Sequence, residues 1–163
     1  MKFTSHEEYG LRCLLQIGRH PEGLTIPEIS QMEGLSEPYA AKLLRILRHA
    51  GYLKAARGQG GGYTLAKAAR EIRIGEVLDE LGGRLFETDF CQRHSGQEEA
   101  CTHGSDCSIR WLWRTVQTAV DGVLGRLTLR DLLDTEENIK RNLSSLIHLG
   151  EGAPGNSAVS LLD

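Results

Sequence analysis

The sequence predicts a mainly α fold with one small β-hairpin, and three observations carry that prediction. Apolar residues recur at helical spacing in successive segments between residues 6 and 127. Capping and stop residues mark the ends of the early segments. A glycine-rich stretch, Gly58-Gln59-Gly60-Gly61-Gly62, separates two short runs of strand-compatible residues.

Residues 6–19 place Leu11, Leu14, Leu15 and Gly18 on one stripe of a helix. His20-Pro21-Glu22-Gly23 turns the chain. Thr25 and Glu28 then have the spacing of a capping box, which starts a short helix burying Ile26, Ile29 and Met32. Gly34 supplies the left-handed residue that ends it. Ser36 caps a third helix over residues 37–50, with Pro38 tolerated in the first turn. Ala40, Leu43, Leu44, Leu47 and Ala50 form its buried stripe, while Tyr39, Lys42, Arg45 and His49 point away and Arg48 sits on the flank. Two short helices joined by a tight turn, the second basic outside, describe a helix-turn-helix.

Residues 51–57 and 63–65 read as the strands of a hairpin whose tip is the glycine run. Glycine lets the backbone approach a phosphate closely. A nucleotide-binding loop needs a following Gly-Lys-Ser/Thr and a helix, and neither follows. The pattern is a wing beside a helix-turn-helix, which predicts DNA binding. Tyr39, Lys42 and Arg45 are the candidates for base edges. Arg48, Arg57, Gln59 and Lys67 are the candidates for backbone and wing contacts, with Ser36 and Gly60 beside them at the DNA.

Charge supports this reading. The net charge is −3, yet residues 36–70 hold seven basic residues and one acidic one. Residues 1–35 hold three basic against five acidic residues, and residues 71–163 nine against sixteen. A basic segment inside an acidic chain binds a polyanion locally. With 163 residues, 40% hydrophobic and 25% charged, the chain suits one domain plus an arm and is not composed like a disordered one. The apolar runs are too short to span a bilayer, and MKFTSHEEYG has no apolar signal core, so a cytoplasmic protein with no membrane partner is expected.

A helix over 72–81 (Ile74, Val77, Leu78, Leu81) leads into a polar loop, 87–106, that brings Cys91, Cys101 and Cys107 close in sequence. Their spacing is C-x9-C and C-x5-C. Soft thiolates grouped in such a loop suit an iron–sulfur cluster or zinc. The fourth ligand is open among His94, His103 and a carboxylate of the first helix, Glu8 before Glu7, brought by a partner subunit. Cys91-x2-His94 with Cys101 and Cys107 is a workable zinc set. Cys13, near the first apolar stripe, reads as a small buried hydrophobe. No C-x-x-C, catalytic triad or nucleotide fingerprint is present, which argues against an enzyme.

Residues 108–127 carry Ile109, Leu112, Val116, Ala119 and Val123 at alternating spacings of three and four, widened by Trp113, Val120, Leu124 and Leu127. A helix apolar on two sides needs its own domain and a second chain, so a dimerisation helix is predicted. A short helix follows from 128 to 131, and beyond Thr135 the composition reads as a loose tail. The division expected is 1–82 winged helix-turn-helix, 83–107 cysteine loop, 108–135 dimerisation region and 136–163 tail.

MKFTSHEEYGLR, LSEPYAAKLLRILRHAGYL, RGQGGGYTLAK, IRIGEVLDEL and the cysteines running into CSIRWLWRTV together resemble the Rrf2 (Rrf-two) family of bacterial winged-helix transcription regulators. The resemblance covers about residues 1–135 and reaches the iron–sulfur cluster regulators and nitric-oxide-sensitive repressors of that family. It implies a homodimer on a palindromic operator, with Cys91, Cys101 and Cys107 binding a [2Fe–2S] or [4Fe–4S] cluster. It also implies a remaining ligand from a loop histidine or from the first helix of the other subunit, where Glu8 stands. The first cysteine gap is longer than the family's usual one. The function expected is cluster-dependent repression responding to redox state, nitric oxide or iron–sulfur status; the alternative is a zinc-stabilised or cofactor-free winged-helix regulator.

Overall fold

A computed structural model describes residues 4–56, 61–84, 86, 90–96, 98, 101–103 and 106–148. The first helix, α1 (Ser5–Arg19), starts at Thr4, whose amide donates to Glu7 Oε2 at 2.6 Å. Helix α2 (Ile26–Glu33) starts as its sequence requires: the Thr25 amide and hydroxyl both donate to Glu28 Oε2 at 2.7 Å. It stops at Gly34, whose φ of +66° is the left-handed conformation that glycine adopts without strain. Helix α3 (Glu37–His49) buries Ala40, Leu43, Leu44 and Leu47 against α1 and α2. Leu14, Ile17 and Ile29 complete this centre, and Cys13 lies among them with no solvent exposure. Each such aliphatic side chain stabilises the fold by about 1.5–3 kcal/mol relative to an exposed one.

The wing is β1 (Leu53–Ala56) paired antiparallel with β2 (Gly62–Leu65), in a register that sets Leu53 opposite Leu65 and Ala56 opposite Gly62. Leu24 adds a one-residue third strand: its amide donates to the Tyr63 carbonyl at 3.1 Å, and the Tyr63 amide returns to Leu24 at 2.7 Å. The approach is close at Gly62, where a Cβ would lie 2.8 Å from the Leu24 carbonyl oxygen. The wing is thereby tied to the turn between α1 and α2.

Helix α4 (Ile74–Gly82) buries Ile74, Val77, Leu78 and Leu81 as its spacing predicts. A short helix, α5 (Phe90–Arg93), interrupts the expected cysteine loop, and α6 (Ser108–Leu124) follows. Sequence periodicity carried α6 to 127, but it ends before Gly125 because the chain turns back onto the core formed by α1, α3 and α4. There the Ile74 amide donates to the Leu127 carbonyl at 3.0 Å and the Leu129 amide to the Ile72 carbonyl at 2.8 Å. Leu127 and Leu129 are buried in the same core as α1 and α3. Helix α7 (Leu129–Leu132) opens with a capping box, Thr128 to Asp131.

Three further expectations are corrected. Met32, read as buried by the second helix, is 47% exposed. Residues 136–148, read as the start of a tail, form helix α8 (Glu136–His148). Ile139 and Leu143 stand one turn apart and half-buried, Lys140 pairs with Glu136 at 2.7 Å, and Thr135 Oγ1 accepts the Asn138 amide at 3.4 Å. Ala50 is only half-buried, because it lies past the end of α3.

Candidate functional site

Lys42, Arg45, Arg48 and His49 are exposed on the side of α3 opposite its buried stripe, which makes one basic helix face. Ser36 occupies the N-cap position, but its hydroxyl makes no cap bond. A cap side chain is served by the second or third amide of the helix. Here the second residue is Pro38, which has no N–H, and the Tyr39 amide goes to the Ser36 carbonyl at 3.0 Å. The exposed hydroxyl is therefore left facing outward at the helix start.

Tyr39 departs from the outward orientation expected of it. Its ring is half-buried between α1 residues, edge-on to His6 at 5.4 Å and to Tyr9 at 6.2 Å, with its hydroxyl 3.4 Å from His6 Nδ1. Arg12 lies over the Tyr9 ring at 5.5 Å. Lys67 is exposed at the base of the wing, with Nζ 5.0 Å from the Tyr52 ring centroid. Burial, then the nearby carboxylates Glu76, Glu80 and Asp79, push the Tyr52 hydroxyl above its ordinary pKa. Lys54, exposed on β1, adds a wing cation that sequence reasoning passed over; its place in a strand beside the wing tip was the available signal. Arg57, Gln59 and Gly60 lie outside the described residues.

Cys91 on α5, Cys101 in the loop and Cys107 at the start of α6 are each half-buried, and all three line one hollow of about 150 Å³. His94 and His103 line it too, with Phe86, Phe90, Ile109, Arg110 and Trp113 as its other walls. Cys107 is the N-cap of α6, and its Sγ accepts the Arg110 amide at 3.4 Å. The positive end of the helix thus faces sulfur. Among the described residues, no group of three or more His, Cys, Asp and Glu side chains is drawn together tightly enough to hold a metal ion. The donor set itself, three thiols with two imidazoles on one hollow, is the soft set that iron–sulfur clusters and zinc require.

Glu8 does not line this hollow; its carboxylate is exposed and pairs with Arg12 at 2.8 Å, one turn along α1. Glu7 is buried and borders a second hollow, about 260 Å³, between α1, α4 and α6. Polar side chains knit that region. Gln117, 7% exposed, accepts the Phe86 amide at 2.9 Å and donates to Asp121 at 2.7 Å. Asp121 pairs with Arg84, which reaches Asp79 of α4 at 3.5 Å. Burial raises the Asp79 carboxyl above its usual pKa, and Arg84 works against that rise. Trp111, which sequence reasoning did not single out, is 70% exposed on α6, with Ile109 and Leu112 exposed beside it.

No helix among the described residues is long and apolar enough to cross a membrane. A family model described as an iron-dependent transcriptional regulator, Rrf2, matches residues 3–135. The chain is 32% identical over 139 residues to the HTH-type transcriptional regulator IscR of Serratia proteamaculans, covering 84% of this chain and 82% of that one. It is 34% identical over 135 residues to protein rrf2 of Nitratidesulfovibrio vulgaris, covering 82% and 87%. Among solved structures, the global cysteine regulator CymR of B. subtilis superposes with a TM-score of 0.67 at 29% identity, over 82% of this chain and 96% of that one. IscR of T. potens gives 0.64 at 31%, over 82% and 86%.

A helix-turn-helix with a basic outer face and a β-wing defines a winged-helix DNA-binding regulator of transcription, not an enzyme. Within that class, the chain belongs to the Rrf2 family.

Proposed function

We propose that this Rrf2-family regulator is a homodimeric repressor whose grip on DNA depends on an iron–sulfur cluster held by Cys91, Cys101 and Cys107. The observation that carries the reading is the shared hollow into which α5, the loop and α6 bring all three thiols. A bound cluster would supply a group reactive toward oxygen, nitric oxide and reductants. The chain's own part is to hold and shield it: Cys107 anchors sulfur at the α6 N-terminus, while Phe86, Phe90 and Trp113 limit water.

The DNA side follows from the helix-turn-helix. Lys42 and Arg45 meet base edges with the Ser36 hydroxyl and the Tyr39 edge beside them; Arg48, Arg57, Gln59, Gly60, Lys67 and Lys54 meet the backbone. Two copies joined along α6 present two recognition helices to half-sites about one helical turn apart, which suits a palindromic operator. A change in the thiol hollow re-aims α6 and so the spacing of the two heads. Each mismatched base contact costs about 1–3 kcal/mol. Such a protein works in the cytoplasm, and its signal is redox state, nitric oxide or iron–sulfur status.

A cofactor-free regulator is the second reading, favoured by the thiols not being drawn together as a ligand group; a zinc-stabilised one is the other alternative and rests on the same Cys and His donor set. Oxygen-free purification with iron, acid-labile sulfide and zinc counted per chain separates these readings. The cluster reading expects iron and sulfide in comparable amounts; zinc alone, or no metal, contradicts it.

A further inference from the structure

Three rings on and flanking α5 form a ladder. Phe86 lies 5.0 Å from Phe90, and Phe90 stacks on His94 at 4.2 Å with their planes 22° apart. His94 Nδ1 lies 2.8 Å from the Phe90 carbonyl oxygen. A carbonyl only accepts, so Nδ1 carries the hydrogen and donates, and in the neutral ring Nε2 holds the lone pair. Ligating histidines are commonly oriented in this way, with one ring N–H bonded to a backbone carbonyl and the other nitrogen free for the metal. His94 follows Cys91 by three residues, a spacing that puts both on the same side of a helical turn, and both line the thiol hollow.

The other candidates lack this preparation. Among the described residues the His103 ring makes no hydrogen bond; the residue's contribution is its main-chain carbonyl, which accepts from Arg110 Nη2 at 3.3 Å. Glu8, a candidate only as a contribution of the partner subunit, has its carboxylate paired with Arg12 at 2.8 Å one turn along α1. We infer that His94, through Nε2, is the fourth ligand beside Cys91, Cys101 and Cys107. The inference rests on the cluster reading. It makes the site complete within one chain, without a carboxylate from the partner subunit.

The test reads nitrogen directly. Oxygen-free protein reconstituted with iron and sulfide, with and without 15N-histidine, is reduced and examined by electron–nuclear double resonance. Wild type is expected to show a histidine nitrogen coupling that shifts with the isotope, that is lost in His94→Ala and that is kept in His103→Ala and Glu8→Ala. His94→Cys is expected to keep the iron and sulfide content while losing the nitrogen signal. In air the His94→Ala cluster is expected to decay at least about tenfold faster, since disturbing even the orienting partner of a ligand costs that much in metal affinity. In cluster-free protein, long-range 15N–1H NMR is expected to show the Nδ1–H tautomer for His94. A nitrogen coupling that survives His94→Ala, a cluster-bearing wild type with no such coupling, or the Nε2–H tautomer would overturn the assignment alone. A wild type that takes up no iron and sulfide overturns the cluster reading, and the assignment with it.

Discussion

The Phe86 amide donates to Gln117 Oε1 at 2.9 Å, so a wall of the thiol hollow is fastened to the buried face of α6. The same carboxamide donates to Asp121, and Asp121 is joined through Arg84 to Asp79 on α4. A continuous set of polar contacts therefore runs from the hollow to α4, which packs on the helices α1 and α3.

Gln117→Leu keeps the approximate volume of the side chain but leaves the part-buried Phe86 amide without its acceptor, while Asp121 keeps Arg84. A buried polar group so stranded costs about 1–3 kcal/mol. Urea unfolding of the cluster-free protein is expected to show a loss of that size. Wild-type stability in this variant would remove Gln117 from the coupling.

Lys42→Ala and Arg45→Ala are expected to weaken DNA binding and to lower the slope of log affinity against log salt by about one for each phosphate no longer neutralised. Where the side chain reads a base edge, the loss is about 1–3 kcal/mol and discrimination at that base relaxes. Fluorescence titrations at several salt concentrations give both quantities. Unchanged slope and unchanged sequence preference in both variants would contradict the assignment of this face.

Tyr39 is braced by two edge-on rings and faces His6 through its hydroxyl. Tyr39→Phe keeps the rings and is expected to leave the unfolding midpoint nearly unchanged. Tyr39→Ala removes two aromatic pairs, each worth about 0.5–1.5 kcal/mol beyond area burial, and is expected to lower it clearly. Equal effects from the two substitutions would show that the hydroxyl, not the ring packing, holds α1 to α3.

Burial pushes the Cys13 thiol from about 9.0 up to about 12. The folded state therefore keeps its proton where the unfolded chain loses it. This contribution to stability is fully present below pH 9 and falls away as pH rises toward 12. In native cluster-free protein at pH 8, alkylation is expected at the three half-buried cysteines, with Cys13 modified only on unfolding. Peptide mass spectrometry reads this; rapid native labelling of Cys13 would contradict the packing.

Features set by neighbours in sequence were legible: the Thr25–Glu28 box, the left-handed Gly34, the α3 and α4 stripes and the burial of Cys13. Features set by distant pairing were not. The Leu24–Tyr63 bridge and the insertion of Leu127 and Leu129 into the core with α1 and α3 join segments far apart in sequence. Pro38 silenced the Ser36 cap by removing an amide, and the aromatic surface of α1 drew Tyr39 inward. Helix α8 did carry a signal, Ile139, Leu143, Leu146 and Ile147 at helical spacing, which was passed over beside the Gly- and Pro-containing residues that follow it. The three thiols were read as a group from spacing; α5, which carries Cys91 and ends one residue before His94, gives no signal beyond four residues.

The central claim, that the thiol-held group governs the hold on DNA, is tested most directly by comparing two proteins on one duplex. The duplex is selected from random sequence by oxygen-free wild-type protein, and the comparison is the variant with Cys91, Cys101 and Cys107 all replaced by serine, at the same salt. The account predicts affinities at least about tenfold apart, equivalent to about 1.4 kcal/mol, with both proteins folded. Identical affinities from an iron-bearing wild type and its thiol-free counterpart would contradict it.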